Sequence, residues 1–222
     1  MGLIVYGASL SPFVRKVRVF LAEKSVPYTL ENVNIFPAPD WFIDISPLKR
    51  IPALKDEEND FTLADSSAIC AYLEKTHPEP ALYPTDPKDF GRALWFEEYG
   101  DSEMAGHIGM GTFRPMVVSR LMGKDADVET AQKVADEKLP PYFKYLEGEI
   151  GDREFLVGET LSIADISVAT SFINFSHAGF CPDAAAFPKL TAYLKRIHAR
   201  PSFADCIAEE TGFLDKVLKR AS

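Results

Sequence analysis

LIVYGASLSPFVRKVRVFL, residues 3–21, is the stretch that decides the fold. Leu3, Ile4, Val5 and Tyr6 form a continuous apolar run, the pattern of a strand buried on both faces, and Gly7 ends it. Ser11-Pro12 is a helix start: serine caps well, and proline suits the first helical position because its missing N–H has no partner there anyway. Val14, Val17, Phe20 and Leu21 then recur on one buried face, while Arg15, Lys16 and Arg18 are expected to point outward. A helix N-terminus presents unpaired N–H groups and a partial positive charge. An anion such as a thiolate would therefore be favoured beside Ser11.

Working outward, the helix should stop near Lys24-Ser25, because Val26 precedes Pro27 and is pushed toward extended geometry. Tyr28, Leu30 and Val33 fit a second short strand, parallel to the first and joined to it by the helix. Pro37 and Pro39 mark a loop, and Trp41, Phe42, Ile43 and Ile45 fit a short helix closed by Ser46-Pro47. Ile51-Pro52 stands directly before Ala53-Leu54. A polar turn over residues 56–60 and the run Phe61-Thr62-Leu63 complete an antiparallel hairpin. Both isomers of the Ile51-Pro52 bond are compatible with the sequence. Asp65 or Ser66 then caps a helix that carries Ile69, Tyr72 and Leu73 on one face.

The 222 residues allow one or two domains, and 46% hydrophobic with 26% charged residues is an ordinary globular composition. A formal net charge of −9 argues against nucleic acid or an anionic membrane as partner. Cys70, Cys181 and Cys206 are scattered without metal-ligand spacing and read as free thiols of a reducing compartment. His77, His177 and His198 show no metal-binding spacing either. With no leader-like or membrane-spanning run, a cytoplasmic location is expected.

The order of strand, Ser-Pro-Phe helix, strand, Ile51-Pro52, hairpin and Asp65-Ser66 helix resembles the N-terminal domain of cytosolic glutathione transferases, of the serine-dependent, bacterial-like kind. The Pro-rich run around Pro78, Pro80 and Pro84 reads as a linker, and no strand-like alternation follows it. Helices are expected over 87–122, broken near Pro115, and over 127–148, 162–175, 188–198 and 203–218. Ser162-Ile163-Ala164-Asp165 is spaced as a capping box, as in the helical domain of the same family. The expected fold class is an α/β thioredoxin-like N-terminal domain over 1–78 and an all-α C-terminal domain over 86–222, joined by a linker at 79–85.

The resemblance implies that glutathione is the co-substrate, with no metal. Ser11 would hold its sulfur as thiolate beside Phe13, and the backbone of Ile51, before Pro52, would pair with the cysteinyl part. Ser66 would take the γ-glutamyl carboxylate, Asp65 its amine, and Arg50 the glycyl carboxylate. Asp65 stands where many members carry Glu or Gln, and Lys49 where Gly is common. Ser11 is preferred over Ser9 because it adjoins the helix and has Arg15 at the family's spacing, and Tyr6 is a minor alternative in a strand. A small hydrophobic electrophile would lie against Met104, His107, Ile108, Met110 and Phe113, in a stretch whose glycines suggest a bent or open helix.

A homodimer is expected from the family. Transfer of glutathione to the electrophile is the leading reaction, with isomerisation or dehalogenation at the same site as alternatives. A thiol-disulfide reductase would need Cys where Ser11 stands. A non-catalytic binding or partner protein on the same fold is the alternative of another class.

Overall fold

The computed structural model describes residues 2–218, which fall into two compact units that meet at Tyr83 and Pro84. In the first, β1 (Leu3–Tyr6), α1 (Pro12–Glu23), β2 (Tyr28–Glu31), α2 (Asp40–Ile45), β3 (Ala53–Asp56), β4 (Phe61–Ala64) and α3 (Ser66–Thr76) follow in order. The sheet order is β2-β1-β3-β4. β1 runs parallel to β2 and antiparallel to β3, and β3 is antiparallel to β4.

Alternation along β1 divides the core. Tyr6 packs with Val33, Phe42 and Ala53 and is flanked by Ile4, so this face of the sheet meets α2. Leu3 and Val5 alternate with them and face the other way, toward α1 and α3. Val14, Val17, Phe20 and Leu21 of α1 and Ile69 and Leu73 of α3 are fully buried. Each such side chain contributes about 1.5–3 kcal/mol of hydrophobic stabilisation.

Arg15, Lys16 and Arg18 do not point outward; all three are buried. The reason is that α1 is covered by neighbours around much of its circumference, and the basic heads reach polar partners there. Lys16 Nζ donates to Ser67 Oγ at 3.0 Å, and Arg18 Nε donates to Tyr28 Oη at 3.0 Å. The long aliphatic stems of such residues can cover apolar surface while their heads stay paired. Lys24, the C-cap of α1, donates from Nζ to the carbonyls of His77 and Pro80 at 2.7 Å each and pairs with Glu74 at 2.8 Å. Glu74 in turn accepts from the N–H groups of Leu82 and Tyr83. The chain after α3 is thereby stitched to the first unit as far as Tyr83.

Asp56 ends β3 and organises the hairpin. Its burial alone would raise its pKa, but donors from the Asn59 side chain, the Tyr72 hydroxyl and the Asn59 and Glu58 N–H groups outweigh this and hold it below the usual carboxylate range. At the other end of the sheet Gly7 admits no side chain: a Cβ there would overlap Cγ2 of Val14, which is fully buried.

The second unit contains α4 (Pro87–Glu98), a wider π-type segment (Tyr99–Val118), α5 (Ser119–Leu121), α6 (Val128–Lys133), a second π-type segment (Val134–Lys138), α7 (Pro140–Ile150), α8 (Ile163–His177), α9 (Pro188–His198) and α10 (Pro201–Leu218). The expected break near Pro115 does not occur, because Pro115 lies inside the first π-type segment. The change of helix type comes earlier, at Tyr99, in the glycine-containing run where preference for the α form is weakest. Gly100 is needed there: a Cβ would come within 2.7 Å of the Ser167 backbone, so the segment and α8 approach closely. The single helix expected over 127–148 is instead α6, a π-type turn and α7, with Pro140 restarting the α form.

α8 is the axis of this unit, buried from Ile163 through Phe175. Its capping box is present, and Asp165 does more than cap. It accepts from the Leu156 and Ser162 N–H groups at 2.9 Å each and from the Tyr193 hydroxyl at 2.8 Å, fixing the preceding loop and α9 to the start of α8.

Three outcomes follow from this packing. Asp165→Ala leaves several buried donors unpaired and is expected to cost at least about 3 kcal/mol in chemical denaturation. Gly7→Ala forces Val14 or the strand to shift and should cost about 1–3 kcal/mol by the same measurement. Asp56, with its native pKa depressed, stabilises the fold above the unfolded value of about 4, and that contribution disappears as pH falls through the native value. Asp56→Asn should therefore flatten the acid side of a plot of stability against pH.

Candidate functional site

Strand register collects residues far apart in sequence. Tyr6 pairs with Ala53, and Ala53 pairs with Ala64, so these three form one row across the sheet. Beyond the row on each strand the chain leaves at the same end. The loop after Tyr6 leads to Ser11, the residues before Ala53 are Arg50, Ile51 and Pro52, and those after Ala64 are Asp65 and Ser66. The N-terminal turns of α1 and α3 both stand at this end.

Ser11 is the N-cap of α1, with extended backbone (φ −72°, ψ 125°) and Pro12 in the first helical position. The Val14 N–H donates to its Oγ at 3.4 Å, and its own N–H donates to the Ala8 carbonyl at 3.0 Å. A hydroxyl that accepts in this way keeps its proton to donate elsewhere. Ser11 and Phe13 are both half-buried, so each presents part of its surface to solvent.

The Ile51-Pro52 bond is cis, the isomer that the sequence left open. Pro52 is buried and Ile51 half-buried. The Arg50 side chain is exposed, but its backbone is pinned at both ends by Ser46, whose Oγ accepts from the Arg50 N–H at 3.1 Å and donates to the Arg50 carbonyl at 2.8 Å. Ser46 is itself buried. In the sequence it reads only as the end of α2, and nothing there announces a second task four residues on.

Asp65 is the N-cap of α3 and is exposed. Its Oδ1 accepts from the Ser67 and Ala68 N–H groups at 3.0 and 3.2 Å. Its backbone has φ +80° and ψ 130°, a region that costs a non-glycine residue on the order of 1–3 kcal/mol and that clusters at ligand sites. Ser66, the first residue of the helix, is buried.

Tyr6 stands apart from this end-of-sheet group, in the cluster against α2 with Trp41 edge-on to its ring at 5.1 Å. Burial first, then the charges of Glu31 and Glu57, push its phenol pKa up and oppose ionisation.

The second unit holds the residues expected to meet an electrophile. Met104 and Ile108 are fully buried and Phe113 nearly so. Met110 is exposed. His107 is half-buried and does not stand alone: its Nε2 lies 2.8 Å from the Tyr142 hydroxyl and 3.8 Å from Glu103. Burial first, then the Glu103 carboxylate, raise the Tyr142 pKa. Among the described residues there is no cluster of His, Cys, Asp and Glu fit to hold a metal, and no helix long and apolar enough to cross a membrane.

Both halves of the chain match family models. Residues 5–81 match the glutathione S-transferase N-terminal domain and residues 113–210 the glutathione S-transferase C-terminal domain. A glutathione S-transferase of Triticum aestivum is 32% identical over 196 residues, covering 86% of this chain and 88% of that protein. FtsZ-localized protein A of Caulobacter vibrioides is 26% identical over 206 residues, covering 90% of this chain and 88% of that one. Among solved structures, a glutathione S-transferase from Methylobacterium radiotolerans in complex with glutathione sulfonate superposes with a TM-score of 0.74 at 26% identity, covering 92% of this chain and 94% of that one. The four-stranded mixed sheet is thus a thioredoxin-like domain, the second unit is the family's helical domain, and the chain belongs to the glutathione S-transferase family.

Proposed function

We propose that the chain is a glutathione S-transferase that binds glutathione at the Tyr6–Ala53–Ala64 end of the sheet, ionises its thiol and transfers it to a small hydrophobic electrophile. The observation that carries this reading is the register itself, which brings the Ser11, Ile51-Pro52 and Asp65-Ser66 segments to one place. A relative solved with glutathione sulfonate supports the class of ligand.

In this reading the thiol releases its proton to solvent, and the Ser11 hydroxyl, which accepts from the Val14 N–H, donates a hydrogen bond to the thiolate that remains. Lowering a thiol from about 8.5 by two units requires about 2.7 kcal/mol of differential stabilisation. A hydrogen bond to an anion supplies about 1.5–3 kcal/mol and the α1 terminus about 0.3–1 kcal/mol, so no separate base is needed. Phe13 lies beside the sulfur, and the Ile51 backbone pairs with the cysteinyl peptide. The first turn of α3, with Ser66, receives the γ-glutamyl carboxylate, and Asp65 Oδ2 meets the ammonium while Oδ1 caps the helix. Arg50, on a backbone held by Ser46, meets the glycyl carboxylate. The enzyme would work as a homodimer, and isomerisation or dehalogenation would use the same thiolate.

A second reading is favoured by the similarity to FtsZ-localized protein A: a partner protein on the same fold, acting on another protein rather than on an electrophile. Glutathione separates the two. Titration with glutathione, followed by thiolate absorbance, is expected to show a bound thiol with its pKa lowered by about two units. Ser11→Ala should lose most of that shift, and kcat/KM toward an aromatic electrophile should fall roughly 10- to 150-fold. An unchanged thiolate signal in Ser11→Ala removes this hydroxyl from the mechanism, and no binding at millimolar glutathione favours the partner reading.

A further inference from the structure

Lys16 of α1, like Arg15 before it, is a basic residue whose side chain is fully buried, and it stands five positions after the cap. Taking an ammonium out of water is costly unless its donors are satisfied. Its Nζ donates to Ser67 Oγ at 3.0 Å, a bond between residues 51 apart in sequence. Ser67 is the second residue of α3, and its N–H is one of the two that Asp65 caps. One bond therefore joins the helix that begins at Ser11 to the turn that carries Asp65 at φ +80° and the buried Ser66. Arg18, also buried on α1, is directed elsewhere, to Tyr28 of β2.

We propose that Lys16 is a positioning residue for glutathione. It acts through Ser67 to hold the first turn of α3 against α1, and so keeps the Asp65-Ser66 pair at the place where the γ-glutamyl end docks. It does not touch the peptide. The proposal rests on the glutathione reading above and deepens it, because it separates control of the γ-glutamyl end from control of the sulfur. A hydrocarbon at this position could fill the space between the helices but could not fix the rotation of α3's first turn. A hydrogen bond to Ser67 Oγ does so.

Lys16→Met keeps the stem and removes the donors; Ser67→Ala removes the acceptor from a half-buried position and is the milder change. Glutathione affinity is measured by calorimetry, and the pKa of the bound thiol by thiolate absorbance. Each variant should bind glutathione about 5- to 10-fold more weakly, with the bound thiol's pKa as in the parent. In the double variant the two losses should not multiply, since the Lys16–Ser67 bond is already absent in each single variant. A general packing defect would move the thiol pKa as well, and that outcome, or affinities that multiply in the double variant, overturns the proposal. Parent binding with unchanged affinity in both variants overturns it alone. Absence of glutathione binding by the parent overturns the glutathione reading together with it.

Discussion

Main-chain hydrogen bonding between β1 and β3 is the constraint on which the site depends. The antiparallel pairing places Tyr6 opposite Ala53, and the next pairing places Ala53 opposite Ala64. A slip by one residue would exchange the side chains of the two packed faces, setting Val5 or Leu54 among the residues that pack with Tyr6 and Ala53. Because both are fully buried, the hydrophobic core fixes the register, and the register fixes which chain ends meet. The segments that carry Ser11, Ile51 and Asp65 reach one end of the sheet as a consequence of how the strands before and after them pack.

The fold was legible wherever local chemistry and burial agree. Ser11-Pro12, Asp65, Asp86-Pro87 and Ser162-Asp165 are caps whose side chains satisfy helix N–H groups that would otherwise be bare, and each opens a helix where expected. Helix α9 has the bounds that its proline and apolar spacing indicate. The basic residues of α1 were not legible in this way. A run of Arg15, Lys16 and Arg18 on an amphipathic helix normally marks the solvent face, and distant partners such as Ser67 for Lys16 and Tyr28 for Arg18 reverse it. The π-type geometry around Pro115 was hidden for a related reason. Sequence rules for proline assume α hydrogen bonding, whereas the close contact of Gly100 with Ser167 is a tertiary event.

The candidate site divides along the same line. The residues named from the sequence for the proposed glutathione site are those whose local role as cap or turn is visible, and the structure gathers their segments at one end of the sheet. Ser46 and Lys16, which bond into two of those segments, carry no local signature: Ser46 bonds to a backbone four residues on that no cap or turn pattern marks, and the Ser67 partner of Lys16 lies 51 residues away. Met104 and Ile108 are less legible: apolar residues spaced along a helix look alike whether they line a pocket or fill a core, and here both are fully buried.

A chain of formal net charge −9 is an unpromising partner for a peptide with two carboxylates and an ionised sulfur. Exposed charges are screened over about 8 Å at physiological salt, so the net charge matters less than what stands within a few ångströms of the ligand. At the end of the sheet that local inventory is favourable. Two helices, α1 and α3, direct their N-termini there, and each terminus carries the equivalent of about half a positive charge. Arg50 adds a full cation on a pinned backbone, and in the proposed reading Asp65, whose Oδ1 is already engaged by two N–H groups, would offer its remaining oxygen to the one cationic group of glutathione. On the proposed reading, binding of an anion by this acidic protein would need no basic patch: helix termini and Arg50 would supply the local field, and the strand register decides where the segments that carry them converge.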